Sequence, residues 1–136
     1  MSKKNMLFVD DRSWRLHYAL DIFSDQYKVT LAPNVPEAMR LLVSQNWDVV
    51  SLDHDLTGVS FEDPDTPTCG MAIVRYIEKT GWPNRLEKPT FHIHSDNLFA
   101  AHLMITTLNK IGLSAYYMPI SKPKENMKYD EKGNPL

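Results

Sequence analysis

Residues Val50-Ser-Leu-Asp-His-Asp-Leu-Thr-Gly58 pass from an apolar run to acid, imidazole, acid and a glycine turn. A strand of a parallel sheet is covered on both faces. Its sequence is therefore continuously apolar until the chain leaves the sheet. An apolar run that stops abruptly in charge is how such a sheet presents a site at the carboxyl ends of its strands. In extended chain Asp53 and Asp55 leave one face and His54 the other. The pattern recurs at Met6-Leu-Phe-Val-Asp-Asp11 and at Phe91-His-Ile-His-Ser-Asp-Asn97. Three strand ends converging with acid and imidazole predict a metal and phosphate site, with the remaining chain as its scaffold.

The segments between these ends alternate in period. Residues 5–9 predict a buried first strand. A helix follows from about Ser13, its N-cap, on Leu16, Ala19, Leu20 and Phe23. A second strand covers 27–31. Pro36 opens a second helix whose apolar stripe is Val35, Ala38, Met39 and Leu42. Residues 48–52 form the third strand. A long irregular loop over 57–69 carries Glu62, Asp63 and Asp65, read as solvated acids beside the site. Gly70 opens a third helix, with Val74 and Ile77 inward, ending near Gly81-Trp-Pro83. Strand four is 90–94. Helix four runs from about 98 to 110 on Ala101, Met104, Ile105 and Leu108, stopped by Gly112. Residues 115–118 make a fifth strand. Five strands alternating with four helices predict an α/β fold, a three-layer sandwich around a parallel five-stranded sheet. The expected division is a single domain over 1–120 and a polar C-terminal tail over 121–136.

A chain of 136 residues with 43% hydrophobic and 24% charged residues has an ordinary globular balance. Its formal charge of −2 gives no electrostatic reason to expect a membrane surface or duplex nucleic acid as partner. A small phosphorylated ligand needs only a local site. The lone Cys69 cannot form an internal disulfide, and the apolar run Met6–Val9 is too short for a signal-peptide core. A cytoplasmic setting is the expectation.

Asp10, Asp11 and Asp53, with Asp55 as a further ligand, supply the oxygen donors that Mg2+ or Mn2+ prefers. Uncompensated, such a cluster would repel itself, so it calls for a cation or raised pKa values. Asp11 could instead cap the first helix. His92 and His94 lie two apart and share a face. His92 is read equally well as a core histidine. His94, at the strand tip, is placed to protonate a leaving oxygen, with His54 or His92 assisting. Ser95 and Asn97 offer neutral donors to phosphate oxygens, whereas His17 and His102 fall within helices. Glycine-rich dinucleotide and phosphate loops, Gly-x-Ser-x-Gly and zinc-finger spacing are absent.

Over residues 4 to about 120 the chain resembles a response-regulator receiver domain. The matching residues are Phe8-Val-Asp-Asp11, Glu37-Ala38, Trp47-Asp-Val-Val-Ser-Leu-Asp53, Gly70 and Ser95. The resemblance implies the flavodoxin-like receiver topology, Asp10 and Asp11 on magnesium, Asp53 as phosphoacceptor, and Ser95 on the phosphoryl oxygens. It departs where receivers carry Lys-Pro after strand five. Met118-Pro119 stands there, and Lys122-Pro123 substitutes only with a register shift. Leu52-Asp-His-Asp-Leu56 and His92-Ile-His-Ser-Asp-Asn97 are similar to the divergent cyclic-phosphate processing receiver (cREC) branch. That resemblance implies an enzyme acting on cyclic phosphates or related nucleotide products.

The leading expectation is therefore a metal-dependent phosphoesterase for a cyclic phosphate or cyclic nucleotide. Two alternatives stand beside it: a receiver phosphorylated on Asp53, or a cyclic-nucleotide binder that does not hydrolyse. Receiver-like helix faces often pair, which allows a homodimer. TOPRIM and two-histidine phosphoesterase readings are minor, since their strand-one glutamate and separated His-x-Ser/Thr motifs are missing.

Overall fold

The computed structural model describes residues 3–54, 69–95 and 97–120. Nine elements follow in order: β1 (Lys4–Val9), α1 (Ser13–Phe23), β2 (Tyr27–Ala32), α2 (Val35–Leu42), β3 (Val49–Leu52), α3 (Gly70–Thr80), β4 (Thr90–Ile93), α4 (Leu98–Lys110) and β5 (Ser114–Tyr117). The strands form one sheet in the order β2-β1-β3-β4-β5, every neighbouring pair parallel. This is the α/β, flavodoxin-like arrangement, and its strand order reverses between β1 and β3. Among the described residues, no helix is long and apolar enough to cross a membrane. The expected carboxylates Asp55, Glu62, Asp63 and Asp65, residue Lys122 and the 121–136 tail lie outside the described residues.

Strand alternation divides the core in two. Leu7, Val9, Val50, Leu52, Phe91 and Ile93 pack with Ala38 and Leu42 of α2, Val74 and Ile77 of α3, and Ala101, Met104 and Leu108 of α4. The other face presents Met6, Phe8 and Val49 to Ala19, Leu16 and Phe23 of α1. The three layers are thus α1, the sheet, and α2–α4.

Two local expectations change. Arg12, not Ser13, occupies the N-cap position of α1, and its side chain makes no capping bond. The inward face of α1 keeps Leu16, Ala19 and Phe23 of the expected stripe but not Leu20. Trp14, Arg15 and Ala19 are buried, whereas Leu20 is exposed. Arg15 and Ala19 are four apart, so one helix face carries both. A buried arginine on that face needs a partner of opposite charge.

Candidate metal centre

The sheet's hydrogen-bond ladder continues one residue past its last paired positions. Asp10 donates its N–H to Ala32 O at 3.1 Å, Asp53 to Val9 O at 2.9 Å, and His94 to Leu52 O at 3.0 Å. Since Val9 pairs with Leu52 and Leu52 with Ile93, the next row across the sheet is Asp10, Asp53, His94. Alternation turns all three toward the α1 face, in line with Phe8, Ser51 and His92. The row lies at the β1/β3 switch point, where open α/β sheets bind ligands.

Asp10, Asp11 and Asp53 each offer a carboxylate oxygen, and these atoms lie within 4.8 Å of one another. Asp10 and Asp53 are buried and Asp11 is partly exposed. Such an all-oxygen donor set fits a hard divalent cation such as Mg2+ or Mn2+. Backbone groups fix two of the carboxylates. Arg12 N–H donates to Asp10 Oδ1 at 2.9 Å, and His54 N–H donates to Asp53 Oδ1 at 2.9 Å. The remaining oxygens face Arg15. Its Nη1 lies 3.4 Å from Asp10 Oδ2 and 3.6 Å from Asp53 Oδ2. The guanidinium is also 5.3 Å from the Trp14 ring centroid, a cation–π contact.

His94 is fully buried and joins two strands. Its Nε2 is 2.9 Å from Asp10 Oδ2 and its Nδ1 is 2.8 Å from Ser51 Oγ. With Asp10 ionised and the ring neutral, Nε2–H donates to the carboxylate and Nδ1 accepts from the Ser51 hydroxyl. The ring stacks on Phe8, with centroids 4.7 Å apart and planes 5° from parallel. His94 thus sits beneath the acids with both nitrogens engaged. His92 shares its face but is only half-buried. Burial holds the His92 imidazole below its ordinary value, and the neighbouring His94 pushes it the same way.

The other expected residues have local duties. His54 is fully buried, on the opposite alternation from Asp53. Ser95 is buried, and its Oγ accepts from Asn97 N–H at 3.0 Å. Asn97 Oδ1 in turn caps α4 by accepting from Ala100 N–H at 3.1 Å. The Tyr117 hydroxyl reaches Ser95 O at 3.3 Å. His17 and His102 are exposed on their helices.

Gly70 fixes how α3 meets this floor. Its N–H donates to His54 O at 2.7 Å. A Cβ added there would fall 2.2 Å from Asp53 O and 2.9 Å from His54 Cα, so only glycine allows this approach.

Arg15 and Ser51 were not among the expected site residues. The signal for Arg15 is its four-residue spacing from Ala19, which puts a cation on the inward face of an amphipathic helix. The signal for Ser51 is a lone hydroxyl inside Val49-Val-Ser-Leu52, a run otherwise apolar.

The fold and this arrangement of acids define a receiver-type domain. Over residues 5–110 the chain matches the sequence model of the cyclic-phosphate processing receiver domain, and it belongs to that family. Similar solved structures include the receiver domain of the Francisella response regulator 1452, at 18% identity and a TM-score of 0.61, covering 88% of this chain and 87% of that one. The Thermotoga maritima response regulator TrrA, solved in complex with Mg2+ and BeF, matches at 21% identity and 0.57, covering 92% and 93%. A Burkholderia pseudomallei response regulator, solved with a phosphorylated aspartic acid, calcium and citrate, matches at 16% identity and 0.59. That match covers 88% of this chain, which spans only 62% of the Burkholderia protein. At these identities the likeness shows the fold. No curated protein matches the chain.

Proposed function

We propose that this domain performs divalent-cation-dependent phosphoryl chemistry centred on Asp53. The observation that carries this reading is the convergence of Asp10, Asp11 and Asp53 to within 4.8 Å at the sheet's switch point. Those three residues would hold Mg2+ or Mn2+, with Asp55 expected to join them. The cation would supply charge neutralisation for the incoming phosphate. The solved relatives carrying a phosphorylated aspartate or Mg2+ with BeF support the same reading.

The chain's own part is to aim Asp53. His54 N–H fixes Oδ1, and Oδ2 is turned toward Arg15. In the receiver-type reaction an Asp53 oxygen attacks the phosphorus of a small phosphodonor. The bond from phosphorus to the leaving oxygen breaks, and that oxygen keeps the electron pair. Water then cleaves the aspartyl phosphate and restores the carboxylate.

The family's description favours a second reading, a phosphoesterase for a cyclic phosphate or cyclic nucleotide. There water attacks phosphorus at the same site, one ring P–O bond breaks, and the released ribose oxygen takes a proton. For His94 to give that proton, it must exchange its bond to Asp10 for one to substrate. In its observed place it orients Asp10 instead, as hydrogen-bond partners of ligating carboxylates do.

One experiment addresses both readings. The protein is incubated with Mg2+ or Mn2+ and either acetyl phosphate or a panel of cyclic phosphates, beside an Asp53→Asn control, and read by mass spectrometry. A phosphoryl adduct that is lost in the control supports the receiver-type reaction. Metal-dependent ring opening supports the phosphoesterase, and intact ligand retained without turnover supports a binder. The absence of both adduct and product would overturn the proposal.

A further inference from the structure

Three carboxylates gathered at one point repel an incoming phosphate as well as one another. A divalent cation offsets part of that charge. A fixed protein cation placed among the acids would offset more, and β5 does not supply one. Ile93 pairs with Tyr117, so the next β5 position in the site row is Met118, which is half exposed. Among the described residues, a buried positive group at the cluster is on α1 instead. Arg15 is only 3% exposed and faces both Asp10 and Asp53.

The way Arg15 is held bears on its use. One nitrogen spans two carboxylates at 3.4 and 3.6 Å, both longer than the roughly 2.7–2.9 Å of an optimal charge-assisted bond. Asp10 Oδ2 has its shorter bond to His94, at 2.9 Å. The planar guanidinium, lying against Trp14, suits bidentate recognition of phosphate oxygens. Its charge also opposes a metal ion at the same oxygens.

We propose that Arg15 is the phosphoryl-binding residue of this site. At rest it lies between Asp10 and Asp53, and it turns to the phosphoryl oxygens carried by Asp53 or by substrate. The inference rests on the phosphoryl reading above. It implies opposed effects on two ligands: Arg15 weakens cation binding and strengthens phosphoryl binding.

The test titrates wild-type protein, Arg15→Ala and Arg15→Gln with Mn2+ alone, by calorimetry. Beryllofluoride, a phosphoryl mimic, is then titrated in saturating Mn2+. Neutralising Arg15 should tighten Mn2+ binding severalfold and weaken beryllofluoride binding about tenfold or more. Arg15→Lys should recover part of the beryllofluoride affinity, since it keeps the charge without the fork. Parallel loss of both affinities, or no change in beryllofluoride affinity, would overturn the role. Wild-type protein that binds neither probe would instead overturn the underlying reading. If the neutral variants do not fold, the guanidinium NMR signals of Arg15 in the unaltered protein decide the question. They should shift when beryllofluoride is added with Mg2+, and unmoved signals would reject the proposal.

Discussion

His94 Nε2 lies 2.9 Å from Asp10 Oδ2, a bond between two fully buried side chains at the ends of β4 and β1. It makes the position of a candidate metal ligand depend on a residue two strands away in the sheet. His94→Ala would leave Asp10 Oδ2 and the Ser51 hydroxyl with lost partners. We expect Mn2+ affinity to fall about 10- to 100-fold, as for other supporting hydrogen bonds behind metal ligands. Stability should fall by about 1–3 kcal/mol. Calorimetric titration and urea denaturation measure the two effects, and unchanged Mn2+ affinity would reject the supporting role.

Gly70→Ala places a methyl group 2.2 Å from the Asp53 carbonyl oxygen. That oxygen is backbone at the carboxyl end of the central strand β3 and cannot swing aside like a side chain. The expected cost is about 3 kcal/mol, seen as a lower denaturation midpoint. Mn2+ affinity should fall with it, because the displaced peptide belongs to Asp53. An unaltered midpoint would mean the contact relaxes freely.

Asn97→Ala removes the oxygen that accepts the Ala100 N–H at the start of α4. The loss should be about 1 kcal/mol in chemical denaturation. Asn97→Asp or Asn97→Ser should retain most of the stability, since each keeps a capping oxygen.

The lowered pKa of His92 sets the sign of one pH effect. The unfolded chain takes up this proton near the ordinary value of about 6.5, whereas the folded protein takes it up only at lower pH. The contribution of His92 to stability is therefore complete above about 6.5. It declines as pH falls toward the folded-state value. Thermal melts of wild type and His92→Gln over that window should diverge, the wild type losing more stability on acidification. Parallel melting curves would remove His92 as the cause.

Elements set by local pattern were the most legible in the sequence. Helix α4 starts near Leu98 and stops before Gly112 as its pattern indicates, and its apolar stripe marks its inner face unaided. Asn97, expected as a phosphate donor, turns out to cap it. Asp10, Asp11 and Asp53 were legible for a related reason: acid directly after a buried strand has few structural uses. The bonds of His94 were not, because its partners Ser51 and Asp10 lie 43 and 84 positions away and only the sheet order brings them together. Arg15 was missed because an arginine on an amphipathic helix normally faces water. Here the Asp10 and Asp53 carboxylates reverse that preference, and they reach it only after β1 and β3 have paired. Ser13 was a reasonable N-cap by type, but the helix begins one residue earlier than that role requires.

The bond from Gly70 N–H to His54 O brings the chain back, after a long excursion, to the peptide it left. Departure and return share one point, so the length of the excursion is nearly independent of the sheet. Doubling such a loop costs only about 0.6 kcal/mol in closure entropy. Changes in length between residues 56 and 68 should therefore leave Asp53, Asp10 and Arg15 in place, while the expected ligand Asp55 and the buried Cys69 would not be exchangeable. The clasp between His54 and Gly70 thus separates two tasks, holding Asp53 in the sheet and spanning the residues in between.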